Sequence, residues 1–154
     1  MEIKELTRRP SIEQDKRLKK SYAIFENLID ELKKKKIPGE LLNSINQDIE
    51  EINSFSGSNK DLRKRISKLQ SNILKLIEKE LKLVPKNFYR NRWLAIGMSA
   101  FGIPLGVAFG ASLGNMAFLG IGIPIGMVIG MAVGDGMDKK AFEEGRQLNL
   151  EIPY

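Results

Sequence analysis

Hydrophobic and polar positions divide the chain into two parts with different patterns. From residue 11 to residue 81, apolar side chains recur at spacings of three and four among charged ones, which is typical of amphipathic helices. From residue 93 to residue 134, a stretch of 42 residues, no charged side chain occurs. The first pattern predicts a helical domain in water, and the second predicts helices within a membrane.

The amphipathic part predicts three helices. The first covers roughly residues 11–36, begins at a Ser-x-x-Gln capping box that starts at Ser11, and has apolar residues at Leu18, Tyr22, Phe25, Ile29 and Leu32. Ile37, Pro38 and Gly39 interrupt the pattern before a shorter helix marked by Leu42, Ile45, Ile49, Ile52 and Phe55. Ser58 can cap a third helix with apolar residues at Leu62, Ile66, Leu69, Ile73 and Leu76.

These helices predict an all-α, antiparallel three-helix bundle over residues 1–85, on the cytoplasmic side of a membrane. Leu74, Ile77 and Leu81 widen the apolar face of the third helix beyond a narrow coiled-coil seam. Self-association through this face remains open as an alternative to packing within one bundle.

The uncharged block contains one motif twice. Gly-Ile-Pro-x-Gly begins at Gly102 and again at Gly122, which is 20 residues later (122 − 102). At about 1.5 Å per residue, the block is about twice as long as one crossing of a bilayer core of about 30 Å requires. We therefore expect a two-helix transmembrane hairpin over residues 93–137, with spans at about 93–113 and 116–136.

Glycine recurs at every fourth position in both copies, and small residues at this spacing let two helix backbones approach closely in lipid. The expected helix-packing or oligomerisation residues are Gly102, Gly106, Gly110, Gly114, Gly122, Gly126, Gly130 and Gly134. Pro104 and Pro124 occupy equivalent places in the two copies and predict a kink in each helix. Such kinks can be absorbed by packing or can face a water-filled lumen.

These glycine runs, together with the basic segment from Asp138 to Gln147, resemble a group of small bacterial glycine-zipper membrane proteins. The resemblance covers about residues 93–148 and leaves the N-terminal domain unmatched. It implies membrane residence and close helix packing, and it implies no particular biochemical activity.

The charges that flank the uncharged block predict its orientation. Arg90 and Arg92 precede the first span within a basic and aromatic juxtamembrane linker, residues 86–92, and Lys139 and Lys140 begin the C-terminal tail, residues 138–154. Positive flanks at both ends place both termini in the cytoplasm and the protein in the cytoplasmic (inner) membrane. Trp93 fits an interfacial anchor, and ordinary aromatic packing explains it equally well.

Four consecutive lysines, Lys33, Lys34, Lys35 and Lys36, end the first helix. Cations at a helix C-terminus interact favourably with the helix dipole, so a solvated run is one explanation. Contact with anionic lipid head groups is the other, and it extends to Arg90, Arg92, Lys139 and Lys140.

The composition excludes most enzyme chemistry. The chain has no cysteine and no histidine, so thiol catalysis, imidazole acid–base catalysis and histidine metal sites are excluded. No carboxylate pair, activated nucleophile or phosphate-binding loop is apparent, so we expect no enzyme, no cofactor and no metal site. The formal net charge is +6, but basic and acidic residues alternate, and no nucleic-acid-binding motif accompanies them.

Two functions fit this pattern. In the first, glycine faces assemble copies of the chain into a homo-oligomer, which could be a pore controlled by the cytoplasmic domain. In the second, the hairpin is a purely structural anchor for an interaction or scaffold module that binds an unknown cytoplasmic protein or small molecule. Glycine runs that pack against each other within one hairpin would favour the anchor, and exposed apolar residues on the third helix would favour the oligomer.

Overall fold

The computed structural model describes residues 2–152, except for the side chain of Ser11, and these residues are mostly helical. They form two compact units. Unit 1 contains the chain up to Leu83 together with the chain from Leu148 onward, and unit 2 contains Val84–Gln147. The chain therefore leaves unit 1 once, builds unit 2, and returns to unit 1.

Unit 1 begins with helices α1, Pro10–Gln14, and α2, Lys16–Lys33. The predicted first helix is thus divided at Asp15. The Asp15 carboxylate accepts hydrogen bonds from the backbone amides of Arg17 and Leu18, at 2.9 and 3.1 Å, and so caps α2. Ser11, at which the sequence predicts a capping box, lies inside α1 and is not the N-cap of that helix, and its side chain lies outside the described residues.

Helices α3, Gly39–Ser54, and α4, Asn59–Leu81, complete the helical part of unit 1. The hydroxyl of Ser58 accepts a hydrogen bond from the Asp61 amide at 3.2 Å, so the predicted cap of the third long helix is confirmed. Helices α2 and α3 both pack against α4.

The core of unit 1 consists of the apolar stripes of these helices. Phe25, Ile49 and Ile66 are among its fully buried side chains. On α4, Ile77 is buried, and Leu74 and Leu81 pack partly buried against the same core. The widened apolar face of α4 is therefore used within unit 1 and does not form an exposed stripe.

Two short strands lie where the chain passes between the units. Strand β1 is Val84–Lys86, strand β2 is Gln147–Glu151, and the two form a two-stranded sheet. Leu148, Leu150 and Ile152 alternate with polar residues, and their side chains are buried in the core of unit 1. The segment expected to be a tail therefore supplies part of that core.

The side chain of Glu31 holds β2 to unit 1. Its carboxylate accepts a hydrogen bond from the Asn149 backbone amide at 2.8 Å and another from the Lys34 ammonium at 2.6 Å. The hydrogen bond from Lys34 lowers the pKa of Glu31 most, and the bond from Asn149 adds to this, although burial opposes both. The ionised carboxylate is therefore the form that stabilises the C-terminal strand.

Unit 2 contains two long helices. The first apolar helix, Phe88–Ser112, consists of α5, Phe88–Gly97, a π-helical segment, Met98–Gly102, and α6, Ile103–Ser112. The second apolar helix, Met116–Glu143, consists of one 3₁₀ turn, Met116–Phe118, and α7, Leu119–Glu143. Both are long and apolar enough to cross a membrane. Residues 88–92, expected as a linker, are helical.

We predict that Glu31→Gln lowers the free energy of unfolding of unit 1 by roughly 1–2 kcal/mol at pH 7, because two charge-assisted hydrogen bonds are weakened. The pKa of Glu31 is lowered in the fold, so its contribution is present above the ordinary value of 4.5 and is lost as the pH falls from there through the lowered pKa. Urea unfolding of the full chain in detergent, followed by circular dichroism, should show the difference from wild type shrinking in acid. The exposed Glu40→Gln is the control, and an equal effect of both variants would contradict the role of Glu31.

Candidate functional site: a glycine seam between two apolar helices

Eight buried glycines line the contact between the two apolar helices, and we call this contact the glycine seam. The first helix supplies four of them and the second helix supplies the other four: Gly97, Gly102, Gly106 and Gly110, then Gly122, Gly126, Gly130 and Gly134. Seven of these glycines were predicted as packing residues from their spacing, and Gly97 was not.

The two backbones touch along the seam. A Cβ atom added to Gly126 would lie 2.4 Å from the carbonyl oxygen of Gly97 and 2.5 Å from the amide nitrogen of Gly102. A Cβ atom on Gly130 would lie 2.1 Å from the carbonyl oxygen of Trp93. These distances are far shorter than van der Waals contact, so the seam positions have room for the Cα hydrogen of glycine and not for a side chain.

The register of the seam shows that the helices run antiparallel within one chain. Gly122 faces Gly106 near the turn, and Gly134 faces Arg90 at the other end. Residue numbers thus rise along one helix as they fall along the facing helix. Both glycine stripes are consumed by packing against each other inside a single hairpin.

The π-helical segment explains why Gly97 belongs to the seam. Gly97 and Gly102 are five residues apart, whereas the other seam glycines follow at intervals of four. In the segment Met98–Gly102, the amide of Ile103 bonds to the carbonyl of Met98, five residues earlier. This wider turn holds one extra residue, so Gly97 and Gly102 both face the second helix.

The two prolines of the repeated motif have different backbone surroundings. Pro104 lies in the first turn of α6, directly after the π-helical segment. A proline has no amide hydrogen, and a π-helical segment next to it is one way to accommodate that loss. Pro124 lies inside α7, which continues as an α-helix from Leu119 to Glu143.

Gly114 does not belong to the seam. Its φ angle is +66°, in the left-handed region that favours glycine, and a Cβ atom there would meet no atom within 4 Å. Gly114 therefore permits the turn between the helices. The next residue, Asn115, accepts a hydrogen bond from the Ala117 amide at 2.9 Å and starts the second helix.

Asp138 joins the open ends of the two apolar helices. It is buried, and its two carboxylate oxygens accept hydrogen bonds from the backbone amides of Tyr89 and Arg90, at 3.1 and 2.9 Å. These amides belong to the first turn of α5, whose own N-cap residue, Asn87, makes no side-chain capping bond. Asp138 therefore caps a helix 49 residues away in the chain.

Charged and aromatic side chains surround this end of unit 2. Arg90 lies 3.5 Å from Asp135, and the guanidinium of Arg92 lies 6.0 Å from the centre of the Phe88 ring. Lys139 and Lys140 lie 3.9 and 4.0 Å from Glu143 and Glu144, one turn later on α7 or just after it. Trp93 is half-buried.

The lysine run ends α2 in unit 1, and acidic groups partly neutralise it. Lys33 lies 3.7 Å from Glu5 and 3.6 Å from Asp30, and Lys34 bonds to Glu31. Lys34 and Lys36 are exposed, and Lys35 is half-buried. The four lysines belong to unit 1, whereas the other basic residues expected to contact lipid belong to unit 2.

No protein-family model, curated protein or solved structure matches the chain. Within residues 2–152, no group of three or more acidic side chains is arranged to hold a metal ion.

We predict that Gly126→Ala and Gly130→Ala destabilise the hairpin by about 1–3 kcal/mol, because the added methyl group forces the helix backbones apart. This loss should outweigh the gain in helix propensity of about 1 kcal/mol. Unfolding of the full chain in mixed detergent–SDS micelles, followed by Trp93 fluorescence, measures it.

Gly120→Ala and Gly136→Ala are matched controls on the same helix. A Cβ atom at either position meets no atom within 4 Å, so their stability should be unchanged or raised. Equal losses at all four positions would contradict the seam.

We predict that Asp138→Ala costs roughly 1–2 kcal/mol of hairpin stability, because two first-turn amides lose their capping acceptor. Asp138→Asn should retain part of the effect. The exposed Asp135→Ala, one turn earlier on the same helix, should cost less than about 0.5 kcal/mol, since it removes only a surface ion pair. The same micelle assay measures all three, and a larger effect at Asp135 would contradict the cap.

Proposed function

We propose that the chain is an integral membrane protein whose hairpin is a structural anchor for unit 1, a non-catalytic interaction module. The observation that carries this proposal is the closure of the glycine seam within one chain. Glycine faces that are already packed cannot also hold neighbouring copies together, so the anchor is favoured over assembly through these glycines.

The outward side chains of unit 2 support membrane residence. Away from the seam both helices expose large apolar residues, including Phe101, Ile103, Val107, Leu113, Ile121, Val128 and Val133. Val128 is 62% exposed. A soluble monomer rarely exposes a continuous apolar surface around two helices, whereas a bilayer would cover it.

The chain path supports a hairpin with both ends on one side. Both ends of unit 2 continue directly into unit 1, since Leu83 and Leu148 belong to the same compact unit. A unit that folds with a hydrated, charged surface remains on one side of a bilayer. The basic flanks then favour the cytoplasmic side and the inner membrane of a bacterial cell.

The hairpin has few groups suited to a conducting pathway. The hydroxyl of Ser99 bonds to carbonyls of its own helix, those of Ala95 and Ile96, at 3.0 and 3.1 Å. The side chain of Asn115 caps the second helix. A pore would require polar groups directed into a lumen, so the homo-oligomeric pore is the weaker of the two functions.

Basic residues provide a second attachment to the membrane in this proposal. Lys36 is exposed on unit 1, and Lys139, Lys140 and Arg92 are exposed at the charged end of unit 2. Each lysine or arginine near an anionic leaflet contributes on the order of 1 kcal/mol. Trp93 would lie at the interface next to Arg92 in the sequence.

We predict that single cysteines report opposite sides of the membrane. The natural chain has no cysteine, so Leu113→Cys in the turn and Ser56→Cys in the exposed loop before α4 are unique labelling sites. In intact cells a membrane-impermeant maleimide should label Leu113→Cys only, and in inside-out vesicles it should label Ser56→Cys only.

Carbonate extraction of the same membranes should leave both variants in the pellet. Labelling of both sites from one side, or release by carbonate, would refute the anchored hairpin. Purified wild-type protein in liposomes should cause no ion leak, and a leak that Gly126→Leu abolishes would restore the pore as the better proposal.

A further inference from the structure

An N-terminal arm, residues 2–9, lies on unit 1 without helix or strand of its own. Asparagine side chains of α3 bind its main chain. Asn46 accepts a hydrogen bond from the Lys4 amide at 2.8 Å and donates one to the Glu2 carbonyl at 3.0 Å. Each asparagine amide can thus satisfy one donor and one acceptor of an extended peptide.

Asn53 repeats this arrangement two helical turns later. It accepts a hydrogen bond from the Thr7 amide and donates one to the Glu5 carbonyl, both at 2.9 Å. Asn46 and Asn53 are seven residues apart, so they lie on the same face of α3. The two side chains therefore bind the arm through its main-chain amides and carbonyls, and not through its side chains.

Three further contacts complete the binding of the arm. The Tyr22 hydroxyl donates a hydrogen bond to the Thr7 carbonyl at 2.6 Å, and burial raises the pKa of Tyr22 to about 12, so the hydroxyl remains a donor well above neutral pH. Arg9 donates to three carbonyls at the end of α3, those of Ile52, Asn53 and Phe55. Ile3 is buried in the core, with Leu6 packed partly buried against it.

A single residue separates the arm and α1 from the rest of unit 1. Asp15 has φ −116° and ψ 103°, and helices lie on both sides of it. The single helix expected over roughly residues 11–36 has no break at this position. We call the surface that binds the arm, which includes Asn46, Asn53 and Tyr22, the groove. If Asp15 became helical, α1 and α2 would join into one helix, and the arm would leave its own groove.

We propose that residues 2–14 exchange between two copies of the protein, with Asp15 as the hinge. The groove of one copy would then bind the arm of the other through the same contacts that form within one chain. Because the contacts are identical, exchange costs little enthalpy, and a short hinge between rigid elements favours it. Confinement to a membrane raises the local concentration of copies.

This inference deepens the proposed function, because it names the partner of the interaction module. Its contacts all lie within unit 1, so it does not depend on how the hairpin packs. Flotation of the same liposomes reports membrane anchoring separately, so a failure of exchange and a failure of anchoring are distinguishable.

The test combines two full-length variants that should pair in one direction only. The arm donor, Asn46→Ala with Asn53→Ala, has a weakened groove and a free arm. The groove acceptor, Ile3→Ser with Leu6→Ser and Arg9→Ser, has an intact groove and a weakened arm. Each variant is labelled in two portions, one with each of two fluorophores, so that energy transfer can be measured for each variant with itself and for the two variants together, in liposomes at matched protein density.

The arm donor mixed with the groove acceptor should show energy transfer at least tenfold above that of either variant with itself. Adding the three serine substitutions to the donor should abolish it. No transfer in the mixture, while circular dichroism shows both variants helical, would overturn the proposal. Equal transfer in all combinations would also overturn it, since pairing would then use another surface.

The hinge provides an independent test that leaves the arm and groove unchanged. Asp15→Ala removes the cap of α2 and favours a continuous helix, so the paired fraction of otherwise wild-type chains should rise by about tenfold. Asp15→Asn keeps a capping side chain and should match wild type. A paired fraction that is the same for Ala and Asn would contradict a hinge at Asp15.

Discussion

Direct contact between two helix backbones is the constraint on which unit 2 depends. Only glycine hydrogens fit between the facing main chains. A shifted antiparallel register would place side chains against backbone, so the register is fixed. The π-helical segment is part of the same constraint, since it rotates Gly97 onto the seam. The repeated motif is therefore used asymmetrically: one copy follows a π-helical segment, and the other lies in a continuous α-helix.

The return of the chain to unit 1 links this hairpin to the rest of the protein. Asp138 caps the first apolar helix at its entry, and a few residues later β2 enters the core of unit 1, where Glu31 binds its backbone. A buried carboxylate thus fixes the chain on each side of the unit boundary. In the proposed function, Asp138 stabilises the open end of the hairpin, and Glu31 holds the C-terminal strand in unit 1.

Features set by local spacing were predictable from the sequence, and features set by distant partners were not. The apolar stripes of α2, α3 and α4 and the cap at Ser58 follow from intervals of three and four residues. Gly97 was missed because its interval of five is meaningful only with a π-helical turn. Asp138, Asn46 and Asn53 bind backbone more than 40 residues away. The alternation of Leu148, Leu150 and Ile152 with polar residues is a strand signal that the sequence itself carries.

Solid-state NMR of glycine-labelled protein in bilayers would test the closed seam most directly. With ¹³C at glycine Cα positions, we predict through-space correlations between Gly97 and Gly130 and between Gly106 and Gly122. Because these contacts lie within one chain, diluting labelled protein into an excess of unlabelled protein should leave the correlations per labelled chain unchanged. Loss of the correlations on dilution would contradict the account, since the glycines would then hold different copies together.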